Sequence, residues 1–386
     1  MRRTWNVTAG TAVLGLVALV GCGGNSGSSS ATTGTMNVHL VDGPISGYQQ
    51  VNVNIQSVEI NNGGNWITLA SPNKTTNLLS LTGGVSELIA SGATLPAGHY
   101  SQMRLILGSG NNVVLSDGTT QPLKVPSGLQ TGIKLVVSFD VAAGTTADVW
   151  IDFDAAHSIQ VVQAGASGMY MLRPTVWAYD KTVTGSISGT LTDSATTKPL
   201  GDATVYAETL DASGNARIAR TTTTDANGAY TLDLLPVGAT YYIVSQPQVE
   251  GTVPVSYDAK ASDAYALSAA TPVFTYNAAF TADAALGGVG GGLTPMATAT
   301  QSDAVNLLQP LATPASGSFT FIVGSTMATV GTSSETYAFA NLPAGTYNLQ
   351  AIRTTLNTDG TTTQSVSALQ PATVTAGLTA TVNLGL

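Results

Sequence analysis

One phrase occurs three times in the chain, as Leu95-Pro96-Ala97-Gly98-His99-Tyr100, Leu235-Pro236-Val237-Gly238-Ala239-Thr240-Tyr241 and Leu342-Pro343-Ala344-Gly345-Thr346-Tyr347. Proline presets φ at the first corner of a tight turn and glycine accepts φ > 0 at the next, so each copy reads as a chain reversal. On that reading Gly98, Gly238 and Gly345 all take positive φ. The flanks read as strands. Tyr230, Leu232 and Leu234 alternate with Thr231 and Asp233, and Tyr347, Leu349 and Ala351 alternate with Asn348 and Gln350. Period two is what a half-buried strand requires. Three strand-turn-strand units predict an all-β chain of serial β-sandwich modules.

The 386 residues leave room for two or three cores. Only 9 % of them are charged and helical periodicity is nearly absent, a balance found in turn-rich extracellular β proteins rather than in helical cytosolic enzymes. The formal charge of −9 repels polyanions, which sets nucleic acid aside as a partner and disfavours acidic phospholipid. The single cysteine, Cys22, rules out an internal disulfide.

Arg2 and Arg3 precede an apolar stretch from Ala9 to Val20 that is too short to span a bilayer as a mature helix. It ends in Leu19-Val20-Gly21-Cys22 and runs into Gly23, Gly24 and a Ser/Gly tract. These residues resemble a bacterial lipoprotein signal peptide, whose lipobox they match position by position. The resemblance implies cleavage after residue 21, lipid including palmitate on Cys22, and a mature protein held to the membrane by that lipid. Gly23 stands where aspartate would retain a lipoprotein at the inner membrane, so the enterobacterial sorting rule points to the outer membrane.

Residues 22–33 form a flexible Ser/Gly/Thr tether. Residues 34–180 then alternate strand patterns with turn signals such as Asn62-Gly63-Gly64 and Asp117-Gly118. This stretch resembles the domain-of-unknown-function 4382 family of bacterial lipoproteins. The matching motifs are Val41-Asp42-Gly43-Pro44, Leu95 to Tyr100 with Met103-Arg104-Leu105, Val125 to Leu135, Asp152-Phe153-Asp154 and Leu172-Arg173-Pro174. The family implies an envelope location and no chemistry. Residues 183–283 carry Gly185 to Asp193, Pro199 to Val205 and Thr224-Asp225-Ala226-Asn227-Gly228-Ala229-Tyr230. They resemble a carboxypeptidase regulatory-like domain, a transthyretin-like sandwich also grouped with carbohydrate-binding folds. Residues 284–316, with Gly287-Gly288-Val289-Gly290-Gly291-Gly292, read as a Gly-rich linker with one short helix from Ser302 to Leu308 before Pro310. Residues 317–386 read as a small third sandwich.

No catalytic constellation emerges. His39, His99 and His157 lie in different elements without the spacing of a zinc site, and no serine sits in a nucleophile elbow. The sharpest candidate is Trp150, Asp152 and Asp154, which alternation places on the face opposite Val149, Ile151 and Phe153. Carboxylates beside an indole suit a sugar or a calcium ion. A competing structural reading is preferred: if Val141 to Thr145 turns a hairpin, Lys134 falls opposite Asp152 as a cross-strand ion pair. Trp66, Trp177, Tyr241, Tyr242 and Tyr257 are weaker platforms for a glycan, since tyrosines in strands more often face a core. No cofactor and no metal is expected.

The sequence therefore points to a non-catalytic, lipid-anchored envelope protein presenting β-sandwich binding modules. Carbohydrate or other envelope proteins are the expected partners. The alternative is a purely structural spacer or assembly subunit. One test addresses the anchor. Cells given a clickable palmitate are expected to label the wild-type chain, and Cys22→Ala should lose both label and membrane retention; equal labelling of the two would refute the lipobox.

Overall fold

The period-two alternation does build strands, but the repeated phrase does not close hairpins. In all three copies it carries the chain from one sheet of a sandwich to the other. The computed structural model describes residues 32–43, 48–82, 85–125, 132–153, 159–164, 167–172, 176–180, 184–249, 254–315, 317–357 and 362–386. Cys22 and the segments expected as leader and tether lie outside these residues. Among the described residues every regular element apart from a 3-10 turn at Leu78–Leu81 is a strand, and no helix is long and apolar enough to cross a membrane.

In the first module, one sheet has the order Glu87–Pro96, Thr33–Val41, Thr146–Asp152, Trp177–Asp180. The second is built on the long strand Tyr48–Asn62, which pairs with Gly98–Leu107, and that strand pairs in turn with Ile133–Val141. Leu95-Pro96 thus ends a strand of the first sheet and Gly98 opens one of the second. The copy at Leu235 does the same between Ala229–Pro236 and Thr240–Ser245. The third joins Glu335–Pro343 to Gly345–Leu356.

The likeness of the three corners extends beyond the phrase. Each leucine is buried, and each pairs across the sheet with a glycine of its module's first strand: Gly34 with Leu95, Gly185 with Leu235, Gly287 with Leu342. A side chain at those glycines would collide with the carbonyl oxygens of Ala142, Pro272 or Thr375. On its other side the first strand runs parallel to a late strand, Thr146–Asp152, Val273–Thr275 or Thr379–Thr381. Above each corner a tyrosine hydroxyl donates to the proline carbonyl. Tyr100 reaches Pro96 O at 2.8 Å, Tyr241 reaches Pro236 O at 2.8 Å and Tyr347 reaches Pro343 O at 3.0 Å. The tyrosine of the phrase is therefore as structural as the proline. It satisfies a carbonyl that would otherwise be left at the closed end of the sandwich.

The expected glycine conformations hold only in part. Gly238 has φ of 88°, but Gly98, at 158°, is at the edge of extended backbone, and Gly345 has no positive φ. The left-handed residue sits instead in the bulged strand that enters the corner, at Gly92, Leu234 and Asn341, with φ of 60°, 58° and 55°. A bulge supplies the extra twist needed to leave one sheet for the other.

The segment 284–316, expected as a linker with a helix, holds two strands, Leu286–Thr294 and Gln301–Thr313. They are the first strands of the third sandwich, which therefore begins before residue 317. Its glycines fit where side chains would not: a β-carbon at Gly291 would strike the carbonyl of Val382, the oxygen that accepts the Tyr337 hydroxyl at 2.7 Å. Gly189, Tyr276 and Tyr230 repeat this arrangement in the second module. The period in 302–308 is that of a strand, since Gln301–Thr313 pairs on both sides, with Gly317–Met327 and Gly345–Leu356.

The second and third modules share a core. One face of the sheet containing Thr204–Leu210 and Thr240–Ser245 packs within the second module, where Val205, Tyr241 and Ile243 join Leu232 and Phe280. The opposite face sends Tyr206, Tyr242 and Val244 into one cluster with Leu307, Phe321 and Leu349 of the third. Gln246 Nε2 donates across this seam to the Tyr347 hydroxyl at 3.1 Å. Removing a corner hydroxyl unpairs the proline carbonyl, which belongs to a buried residue at Pro343 and an exposed one at Pro236, so Tyr347→Phe should cost ~1–3 kcal/mol and Tyr241→Phe less. Because of the shared core, calorimetry is expected to show both lowering one common transition; two transitions moving separately would contradict it.

Candidate functional site

Thr146–Asp152 buries Val149, Ile151 and Phe153 and turns Trp150 and Asp152 to the other face, as alternation requires. That face meets the second module. Asp152 Oδ2 accepts a hydrogen bond from Arg220 Nη1, and each side chain is only 9 % exposed. The expected partner, Lys134, is not opposite Asp152. Ile133–Val141 and Thr146–Asp152 do not form a hairpin, because the turn at Ala142–Thr145 also crosses between sheets. Thr146–Asp152 pairs with Thr33–Val41 and Trp177–Asp180, while Lys134 pairs across to Arg104. Asp152 thus pairs across the boundary between the first and second modules. Asp154 and His157 lie outside the described residues.

Trp150 stacks face to face on His39, with ring centroids 4.4 Å apart and planes 9° from parallel. His39 Nε2 is 3.4 Å from Asp148 Oδ1, which also accepts from Asn37 Nδ2 at 2.9 Å. The indole borders a cavity of about 270 Å³ between the first and second modules, lined also by Thr184, Ser186, Thr231 and Asp233. Arg220 lines this cavity and a larger groove of about 500 Å³. The groove lies between the strand Ala216–Thr223 and the third module's sheet.

The other candidates are not brought together. Trp66 is covered by the Arg104 guanidinium, 4.2 Å from its ring centre, and Arg104 Nε also donates to Glu59 Oε2 at 2.7 Å. Tyr241, Tyr242 and Tyr257 are buried. The Trp177 side chain lies outside what is described. His99 forms an exposed pair with Asp140 at 3.0 Å. Among the described residues no three His, Cys, Asp or Glu side chains converge as a metal site.

Two buried acidic features escape sequence reading. Asp303 and Arg353 face each other on paired strands, with Arg353 Nε donating to Asp303 Oδ1 at 2.8 Å, and Glu335 Oε2 is 3.9 Å from the same guanidinium. Burial pushes the Glu335 carboxyl up to about 7. Glu208, fully buried at the seam, accepts the Ile322 N–H at 3.0 Å, and burial holds its carboxyl well above the ordinary range. No spacing marks either one, because the partners come from strands far apart in sequence or from backbone.

Residues 33–174 match the family model described as Domain of unknown function (DUF4382), and residues 186–270 match the Carboxypeptidase regulatory-like domain. No curated protein matches the chain. Among solved structures it is similar to the Bacillus anthracis TIE protein, with 11 % identity over 92 % of this chain and 50 % of that one at a TM-score of 0.20. A Streptococcal ancillary pilin gives 10 % identity over 91 % and 98 % at 0.20. The shaft pilin SpaA from Lactobacillus rhamnosus GG gives 11 % over 52 % and 96 % at 0.19. The chain spans half the length of the Bacillus anthracis protein. At such TM-scores no function passes from one to the other.

The Asp152–Arg220 joint makes a sharp expectation. Arg220→Met takes the cation from a buried carboxylate and should cost ~3–5 kcal/mol in urea unfolding, while adding Asp152→Leu should recover most of that loss. Equal losses in the single and double variants would mean the pair does not act as a joint.

Proposed function

We propose that this chain, a domain-of-unknown-function 4382 module followed by a carboxypeptidase regulatory-like module and a third sandwich, is a non-catalytic envelope protein. Lipid on Cys22 holds it to the membrane, and the outer membrane is its destination. Its linked sandwiches present a binding surface outside the cytoplasm, and a carbohydrate is the ligand. The observation that carries this reading is the cavity at Trp150. One face of the indole is held on His39, and hydroxyl and carboxylate groups of Thr184, Thr231 and Asp233 line the same space. Ring surface beside hydrogen-bonding oxygens is what a pyranose requires. At about 270 Å³ the cavity is near the lower end of the ~300–1,000 Å³ usual for ligand pockets, a size suited to a chain end rather than a long oligosaccharide.

A second reading, a structural spacer without a small ligand, is favoured by the Asp152–Arg220 joint and the core shared by the second and third modules. Both features fix the modules to one another, and the first uses polar groups for assembly. A glycan array on the soluble chain from residue 32 separates the two. Binding to a restricted set of glycans, weakened at least about tenfold by Trp150→Ala, a loss of ~1.4 kcal/mol, is expected for the binding reading. An empty array would leave the spacer.

A further inference from the structure

The larger groove differs chemically from the Trp150 cavity. None of its lining residues is aromatic, so it offers no platform on which a sugar ring would stack. Its floor is the face of the third module's sheet, where Ile322 and Ile352 are mixed with hydroxyls and amides. Two floor residues are about 95 % buried yet have hydrogen-bonding capacity to spare. Asn306 Oδ1 accepts from Ser325 Oγ at 2.8 Å, while its Nδ2 has no partner among the described residues, and Ser302 Oγ has none either. One wall is the strand Ala216–Thr223, which pairs with Thr204–Leu210 on one side only and whose other edge makes no backbone bond among the described residues.

A strand edge without backbone bonds among the described residues, beside a groove floored by small polar and aliphatic side chains, suits an extended polypeptide, which needs main-chain partners along one side and shallow pockets for alternate side chains. Charge narrows the choice. Asp152 and Arg220 neutralise each other, and at the other end Arg217 is 61 % exposed. Its contact with Asp211 Oδ2, at 3.3 Å, is shared with Asn215 Nδ2 at 3.2 Å, while the N–H groups of Ser213 and Asn215 hold Asp211 Oδ1. We infer that the groove between the second and third modules binds an extended segment of a partner protein. The segment adds as a strand to the edge of Ala216–Thr223, with neutral side chains over the floor and an acidic residue at Arg217. This site is separate from the Trp150 cavity, and its fate does not depend on the carbohydrate reading.

A fluorescein-labelled nonapeptide of alternating threonine and valine, ending in aspartate, tests the inference by polarisation against the chain from residue 32. Main-chain pairing tolerates sequence, so saturable binding is expected below millimolar concentration. N-methylation at alternate residues should weaken it at least about tenfold, the effect of losing ~1.4 kcal/mol of main-chain bonding. Arg217→Glu, an exposed change that spares the fold, should weaken the aspartate peptide severalfold and favour a lysine-ended one. Asn306→Ala, checked for an unchanged melting temperature, should also weaken binding. No saturable binding, indifference to N-methylation, failure of the charge swap, or displacement of the peptide by chitohexaose would each overturn the assignment.

Discussion

A tyrosine hydroxyl bound to a proline carbonyl holds each corner of this molecule, and the rest of each sandwich depends on that contact. Where a strand leaves one sheet for the other, its last carbonyl points into a space with no strand to pair it. At Pro343, which is buried, an unpaired carbonyl is expensive. Tyr100, Tyr241 and Tyr347 reach back over four or five positions of chain to supply the donor, and burial pushes Tyr241's own ionisation up to about 12, so the hydroxyl stays a donor at any physiological pH. The corner then sets the separation of the two sheets. The glycine opposite each leucine lets the first strand lie close against the turn or strand on its far side.

From these corners the second module is joined to its two neighbours in different ways. First and second meet through a buried ion pair and a cavity, contacts that depend on geometry and solvent exclusion. Second and third meet through a continuous apolar cluster, in which Tyr242 and Phe321 pack with ring centres 5.2 Å apart. Of these, an apolar seam is the less demanding in geometry, because burial of hydrocarbon is non-directional. The clefts on either side of Arg220 follow from this arrangement, since a sandwich edge cannot fill the angle between two neighbours.

Much of this was legible in sequence, and what was not has definite causes. Alternation located Tyr230 to Leu234 and Tyr347 to Ala351, because one face of each strand is buried and the other is not. The run Gly287 to Gly292 defeated the reading because glycine has a low intrinsic strand preference. Only the neighbouring carbonyls, those of Tyr337, Phe339, Thr375 and Val382, show why glycine is needed. Pro310 suggested the end of a helix, yet it lies opposite Thr320 within a strand. The face carrying Trp150 and Asp152 was readable, but the partner of Asp152 was not, since Arg220 is 68 positions away and comes from another module. Lys134 was the nearest cation along the chain, and a turn that crosses between sheets took it elsewhere.

The seam between the second and third modules encloses a carboxyl whose charged form burial disfavours. Glu208 is buried among tyrosine and aliphatic side chains with a single backbone donor, so burial lifts its ionisation well above the 4.5 of an ordinary glutamate. A raised native value means that this contribution is complete below the unfolded value and is lost as pH climbs through the native one. Glu335, lifted to about 7, acts in the same direction inside the third module. Acid, which loosens most proteins by protonating paired carboxylates, therefore leaves these two carboxyls in the form that burial favours, and alkali is the condition under which they strain the fold.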